Sequence, residues 1–518
     1  MLPTHPDRLL GSLLPAWAED RSDAPWILSD GGCWTFGDAH ERVEAYAAGW
    51  ARHGVGRGTR VALLLENSAE YVMIVTSLVR VGAVFVPINP DFSGPYLTGL
   101  LRTLSPAAIV LGAHADDVTW AVVAGSPVRL VVAATESGPS LEKLRVTTLE
   151  ELRSDSRSTP HVEQDSGEVA SVLLTSGTTG PSKGVISSHE AWITGVEVTC
   201  RGRGVNDEDV FHLCTPMSHS ASWALNIWSS LWCGLPVVIC EKYSTSDFWP
   251  SVRRHGATQL CTIGPAHMWL WNRPEEPDDA ANPARVWTAV PLPGEMWKPF
   301  CDRFGLQAIV SMYGQTEVMP ATMGDAQEQE KPGSSGPPHP GVELRVVDEC
   351  DRTVSRGTPG ELLVRPRRPH VMFEGYLGEP VARSDSDWFR TGDLVTIDSD
   401  GDVYFVDRKS DHIRWRGHNV SSAEVETVLG RHPSVAEVAA YAVPSPEGED
   451  DVMVAVIPCD DAAFDARELI TFAAGQLPKY AVPRYVEVVD ALPRTATGKV
   501  EKYLLRQRGV TPSSWYKN

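Results

Sequence analysis

No Cys-x-x-Cys pair occurs in this chain, and its nine cysteines are scattered and odd in number. That spacing excludes a zinc ribbon and a disulfide framework and reads as reduced thiols in a cytoplasmic protein. Basic charge is also short: 46 Lys and Arg stand against 67 Asp and Glu, a formal net charge of −21. Duplex nucleic acid is excluded as a general partner, because phosphate backbones are bound by basic surface. A polyphosphate in a local pocket is not excluded. The N-terminus has neither a basic start nor a long apolar stretch, so no secretory leader is expected. One long stretch, 210–240, carries no Asp, Glu, Lys or Arg. It is long enough to cross a bilayer, but Pro216, Gly234, Pro236, several serines and two histidines interrupt it. A buried helix near 219–233, a turn and a buried strand are expected there, and no membrane span. Internal repeats and long low-complexity segments are absent too.

What is present is enough for more than one core: 518 residues, 42% of them apolar, exceed what a single hydrophobic core usually holds. Residues 60–65 form a β-rich run. Asn67 with Glu70 reads as a capping box opening a helix that Gly82 ends. Strands follow at 84–88 and 107–111, so this part reads as βαβ units and a largely parallel sheet. The pattern resumes near Ser171 and continues to about residue 310. From 335 to 405, short alternating runs with Pro/Gly turns predict an antiparallel β subdomain, with Asp400-Gly401 at a hairpin tip. After Asp407 a small α+β unit is expected. Ser421 with Glu424 caps a helix running to about Gly430. Strands are predicted at 435–443, 452–458 and 485–489, and helices at 465–476 and 499–508. The fold class is α/β: a large N-terminal domain of βαβ-type sheets plus an antiparallel β subdomain, then a small α+β C-terminal domain.

The stretch LLTSGTTGPSKGV, residues 173–185, needs its own explanation. A nucleotide P-loop requires Gly, four residues, then Gly-Lys-Ser/Thr. Counted from Gly177, Ser182 stands where the second glycine belongs, and Gly184 follows Lys183 where a hydroxyl should bind magnesium. The P-loop is excluded, but phosphate chemistry is not. Gly177, Gly180 and Gly184 permit close backbone approach, and successive amides can form an anion-binding nest. Thr175, Ser176, Thr178 and Thr179 add hydroxyls, and Lys183 adds a charge.

TSGTTGPSKG resembles the phosphate loop of the adenylate-forming superfamily of acyl-CoA synthetases, adenylation domains and luciferases. SMYGQTE (311–317), TGD (391–393), DRKSDHIRWRGHNVSSAEVE (407–426) and PRTATGK (493–499) follow in the family's order, so the likeness spans nearly the whole chain. EKYSTSDFW (241–249) is similar to the crotonobetaine/carnitine–CoA ligase branch. The resemblance implies a large domain over 1–407, a hinge over 408–411 and a mobile small domain over 412–518. It implies ATP and Mg²⁺ as cofactors and coenzyme A as co-substrate. A carboxylate attacks the α-phosphorus of ATP to give acyl-AMP and pyrophosphate, and a thiol then displaces AMP. Joining two anions demands charge neutralisation and in-line positioning.

On that resemblance, Thr175, Ser176, Gly177, Thr178, Thr179, Gly180 and Lys183 bind the phosphates. Tyr313 stacks on adenine with Gly314 beside it, and Gln315 and Thr316 contact the nucleotide. Glu317, with Thr175, serves the metal, since magnesium takes hard oxygen ligands. Asp393 accepts the ribose hydroxyls and Arg408 reaches the same sugar. Lys499 bridges the substrate carboxylate and α-phosphate and is, with His219, Glu317 and Thr316, counted among the catalytic groups. Ser410 stands at the hinge, where relatives commonly have Asp or Lys. Gly417 and His219 border the coenzyme A channel. Ala289-Val290-Pro291-Leu292 replaces the Gly-Gly-Ala-Pro common in relatives.

Ser220, Trp223, Ala289 and Val290 are the expected acyl-pocket residues. Amino-acid-activating relatives place an Asp at position 220, and without it an α-amino acid substrate would leave an ammonium unpaired. The tryptophans between 219 and 300 suit either a bulky apolar acid or a cation–π cage for a carnitine-type betaine. An excess of arginine over lysine fits a high-GC genome and favours a bulky acid of secondary metabolism. The acceptor is free coenzyme A or, alternatively, the phosphopantetheine of a carrier protein.

Overall fold

In the computed structural model, Val61 and Leu63 of the strand Arg60–Leu64 enter one apolar cluster, while Ala62 and Leu64 enter another. Past Arg60 the run is apolar and buried at every position because a parallel strand is covered on both faces. Helices Phe36–Arg52 and Ala69–Arg80 cover one face, and helix Gly94–Leu104 the other. This first sheet has eight strands in the order Gly375–Tyr376, Gly184–Ser188, Val169–Leu174, Val84–Ile88, Arg60–Leu64, Ala108–Leu111, Leu130–Ala133, Arg145–Thr148. All neighbours from Val169–Leu174 onward are parallel, whereas Val169–Leu174, Gly184–Ser188 and Gly375–Tyr376 pair antiparallel. The βαβ pattern therefore does not simply resume near Ser171: the chain first makes a hairpin there.

The second sheet has seven strands, ordered Ala308–Val310, Val286–Val290, Gln259–Ile263, Phe211–Leu213, Val237–Ile239, Pro25–Ser29, Gly32–Thr35. The charge-free stretch supplies two of these strands with a buried helical segment between them. That segment runs from Ser220 through a π-turn at Trp223–Ile227 to Cys233, and Gly234 ends it with φ of 66°. No helix among the described residues is long and apolar enough to cross a membrane.

The helix after Arg60–Leu64 is capped one residue later than the sequence pattern suggests. The Ser68 hydroxyl accepts from the Tyr71 amide. Asn67 instead donates to the carbonyls of Thr215 and Cys240 and accepts from the Met217 amide. A distant loop wins the better amide side chain, which has both donors and an acceptor to offer. Gly82 does end the helix, with φ of 72°.

The described residues are 5, 7–134, 144–153, 162–175, 183–264, 266–328, 331–379, 388–409, 411, 413–415, 418–445, 449–459, 464–495 and 498–516. They group into two units. The first holds both large sheets and lies within 1–175, 182–343 and 365–387. The second lies within 344–364 and 388–518. It contains the antiparallel strands Gly360–Pro366, Phe389–Ile397 and Val403–Arg408. The turn between the last two is held by Asp398, whose carboxylate accepts from the amides of Asp400, Gly401 and Asp402. A further sheet of four strands orders Val435–Pro444, Asp450–Pro458, Tyr485–Val488 and Trp515–Tyr516, packed with helices Ser422–Leu429 and Ala466–Ala474. Ser421 caps the former through the Glu424 amide. The last helix is Lys502–Arg508, starting three residues beyond Lys499. Lys499 belongs to a turn, with Thr495 N donating to Lys499 O at 2.8 Å, Gly498 at φ 79°, and a bridge between Arg494 and Val500. That turn uses the backbone groups a helix would need.

Candidate functional site

The glycine-threonine stretch connects the hairpin strands Val169–Leu174 and Gly184–Ser188. Ser176, Gly177, Thr178, Thr179 and Gly180 lie outside the described residues. The base of the stretch is closed by two hydrogen bonds of 3.0 Å each, Thr175 N to Lys183 O and Lys183 N to Thr175 Oγ1. Gly184 is required by space: a Cβ there would meet Val172 Cγ1 at 2.9 Å and Leu377 Cβ at 3.2 Å.

Glu317 sits beside Thr316 in the two-residue tip between strands Met312–Gln315 and Val318–Met323. Its carboxylate is only 7% exposed as a residue, and Tyr376 Oη donates to its Oε1 at 2.7 Å. The same Tyr376 ring lies 4.3 Å from Lys183 Nζ, and that ammonium pairs with Glu379 at 3.0 Å. Phe373 N donates to Glu317 O, Glu374 N to Ile186 O and Leu377 N to Gly184 O. One short segment, 373–377, is thus stitched both to the Glu317 turn and to the strand that begins just after Lys183. Among the described residues no basic side chain pairs with Glu317. Tyr313 is buried on the same hairpin, its amide donating to Thr322 Oγ1. Gly314 is backed closely by Val318 O, and Gln315 precedes the tip.

His219 caps the helical segment that follows it, Nδ1 accepting from the Ala221 amide at 3.2 Å. Ser220 is buried. Trp223 and Ala289, expected to line an acyl pocket, are core residues without accessible surface. The Trp223 indole donates to Met217 O and packs on Tyr71, Phe85 and Trp228. Ala289 faces the cluster of Trp249, Trp287 and Phe300, while Val290, next along the strand, is only partly buried. Of the interval's other tryptophans, Trp228, Trp232, Trp249, Trp287 and Trp297 are also buried. Beyond Val290 the chain is held by a relay: Trp287 Nε1 donates to Thr262 Oγ1, which contacts His267 Nδ1, and His267 Nε2 donates to Pro291 O at 2.6 Å. Burial lowers the His267 pKa to about 4, so the ring is neutral as this relay requires.

In the second unit, Asp393 and Arg408 are cross-strand partners, with Nε and Oδ1 3.1 Å apart. Asp393 is buried and its amide donates to Thr391 Oγ1. Lys409 follows, pairing with buried Glu361, which also holds Arg390. Ser410 and Gly417 lie outside the described residues. The Lys499 turn is braced by Arg494, which donates to Gly498 O and pairs with Glu437. Sequence reasoning missed Tyr376, Glu379, Glu361 and Glu437. None belongs to a spaced motif; their partners are brought by strand pairing from far along the chain.

The AMP-binding enzyme family model matches residues 14–377, and the AMP-binding enzyme C-terminal domain model matches residues 424–499. The medium/long-chain-fatty-acid–CoA ligase FadD6 of Mycobacterium tuberculosis is 31% identical over 502 residues, covering 92% of this chain and 81% of that protein. Crotonobetaine/carnitine–CoA ligase of Salmonella paratyphi A is 26% identical over 482 residues, 91% of this chain and 93% of that one. The crystal structure of ATP-bound MatB from Rhodopseudomonas palustris aligns with a TM-score of 0.85 at 25% identity, over 96% of this chain and 98% of that chain. With a family model matching well over half its length and a relative of this likeness, the chain belongs to the AMP-binding enzyme family.

Proposed function

We propose that the chain is an AMP-forming acid–CoA ligase. It joins a carboxylic acid, not an α-amino acid, to the α-phosphate of ATP with release of pyrophosphate. It then transfers the acyl group from AMP to the thiol of coenzyme A. The observation that carries this reading is the tie, through segment 373–377, between the closed base of the glycine-threonine stretch and a buried carboxylate with no basic partner among the described residues. Related proteins named as CoA ligases support the same chemistry.

Glu317 fits Mg²⁺: it is buried and offers a hard oxygen, one of its carboxylate oxygens being held by a neutral hydroxyl. A magnesium site of this kind needs one or two carboxylates, the remaining ligands being phosphate oxygens and water. The ion would supply neutralisation of the phosphates. Lys183 and the hydroxyls from Thr175 onward hold the phosphates, Thr316 and Gln315 orient them, and Tyr313 takes the adenine. Asp393, an acceptor with two oxygens, takes the ribose hydroxyls with Arg408. Lys499 stabilises the charge that accumulates between carboxylate and phosphorus. His219 and Gly417 border the path of the thiol, with Ser220 and Val290 toward the acyl group. A hinge at 408–411 around Ser410, a point inside the second compact unit, lets the chain beyond it reorient to serve the two half-reactions in turn. The free thiols fit a cytoplasmic setting.

The test separates the half-reactions. Acid-dependent ATP–pyrophosphate exchange should proceed without coenzyme A, and thioester formation should require it. Lys499→Ala should lose exchange by about two to three decades, the effect of removing one preorganised donor, yet still convert supplied acyl-AMP to thioester. Equal loss of both halves, or no exchange with any of a panel of carnitine, fatty, aryl and terpenoid acids, overturns the reading. The same panel, run with coenzyme A and with a phosphopantetheinylated carrier, identifies the acid and the acceptor.

A further inference from the structure

Lys183 and Glu317 are opposite charges served by one side chain, yet they do not pair with each other. Lys183 pairs with Glu379, and Glu317 accepts from the Tyr376 hydroxyl. Tyr376 touches both, its hydroxyl 2.7 Å from Glu317 Oε1 and its ring 4.3 Å from Lys183 Nζ. Its place is set by backbone bonds on both sides. Tyr376 pairs with Val185, two residues past Lys183, while Phe373 N donates to Glu317 O.

We propose that Tyr376 is a positioning residue that keeps the carboxylate and the lysine apart and correctly aimed, so that each is left for the Mg²⁺ and phosphate groups of ATP. This rests on the reading of the site given above. A lysine against Glu317 would neutralise the charge that a cation needs. A hydroxyl donor orients one carboxylate oxygen without neutralising it and leaves the other oxygen's lone pairs unspent. The ring face holds the ammonium by a cation–π contact, which fixes its position without using a donor and leaves those not engaged by Glu379 available. Tyrosine alone among the side chains offers both an acidic hydroxyl at its tip and an aromatic face on the way there.

The two contacts can be separated by substitution. Tyr376→Phe keeps the ring and removes the hydroxyl; Tyr376→Ala removes both. Binding of Mn²⁺ with ATP, followed by the loss of the free-ion signal in electron paramagnetic resonance, reads the site without turnover. The Mg²⁺ dependence of pyrophosphate exchange reads it during turnover. Tyr376→Phe should raise the metal concentration at half-saturation roughly tenfold, as expected when a hydrogen bond to a charged group is lost, with metal-free ATP affinity within about twofold of wild type. Tyr376→Ala should weaken ATP as well. Glu317→Gln and Tyr376→Phe together should cost no more in metal affinity than Glu317→Gln alone, since coupled groups are not additive. Urea midpoints of the Phe variant and wild type serve as the folding control. Metal half-saturation unchanged in Tyr376→Phe, or full additivity with Glu317→Gln, overturns the role of Tyr376. A wild-type chain that binds no Mn²⁺ with ATP overturns the reading of the site itself, and the inference with it.

Discussion

Four histidines of the first unit are kept neutral by burial: the pKa is lowered to about 4 at His189, about 3 at His212, about 4 at His267 and about 4 at His339. Three have visible work that protonation would end. His189 Nδ1 accepts from the Leu10 amide, His339 Nδ1 accepts from the Gly341 amide, and His267 links Thr262 to Pro291 O. In the unfolded chain each ring takes a proton below about pH 6.5. The unfolded state therefore binds more protons than the folded one between about pH 6.5 and pH 4, and stability falls as pH drops through that window. Above it the contribution is complete and flat. Urea midpoints taken from about pH 7.5 down to about pH 5 should decline, and His267→Gln should flatten part of the slope. Midpoints independent of pH over this range would show that the rings titrate normally. Residues such as Glu317 and Asp393 could be singled out from their motifs. Tyr376 could not, because a tyrosine's usefulness here comes from two partners that are remote in sequence.

At the scale of elements, the start of helix Ala69–Arg80 shows how tertiary contacts reassign local signals. Asn67 and Ser68 are both good N-cap residues, and the pattern Asn67…Glu70 favours the first. The structure uses Ser68 for the cap and spends Asn67 on three hydrogen bonds to residues 215, 217 and 240. The two substitutions should differ accordingly. Ser68→Ala should cost about 1 kcal/mol, an ordinary cap loss. Asn67→Ala should cost about 2–3 kcal/mol, because buried carbonyls and an amide are left without partners. Chemical denaturation compares them directly, and an order reversed from this would restore Asn67 as the cap. The helix at Lys502–Arg508 makes a similar point: good helix formers begin at Lys499, but Arg494 and Thr495 hold that residue in a turn.

At the scale of the whole molecule, each unit has apolar clusters of its own. Those of the first run through residues 10 to 323 and those of the second through 413 to 505. All but Trp388, Trp415 and Trp515 of the seventeen tryptophans lie in the first unit. Unfolding followed by tryptophan fluorescence should therefore report mainly on the large sheets, and far-ultraviolet circular dichroism on both units. Two units need not melt as one cooperative block, and the two signals should give non-coincident urea transitions. Coincident curves would mean that the units unfold together. The proposed catalytic cycle is consistent with separate cores, since reorienting a lobe between half-reactions requires that it keep its own fold.

By itself the sequence determined what depends on neighbours in the chain. Strands covered on both faces, the buried helix inside the charge-free stretch and the Asp400-Gly401 hairpin follow from periodicity and turn chemistry, which are local properties, while the motif residues are legible through the likeness of their short contiguous stretches to a family. Only the tertiary structure decided which polar side chain serves which distant group. It moved Asn67 from a cap to a remote loop, and it buried Trp223 and Ala289 in cores where a pocket was expected. It also brought Tyr376 between Lys183 and Glu317. Those outcomes turn on pairing and packing between segments that lie up to about two hundred residues apart, and no local pattern records which of several suitable partners a hydrogen-bonding group will meet.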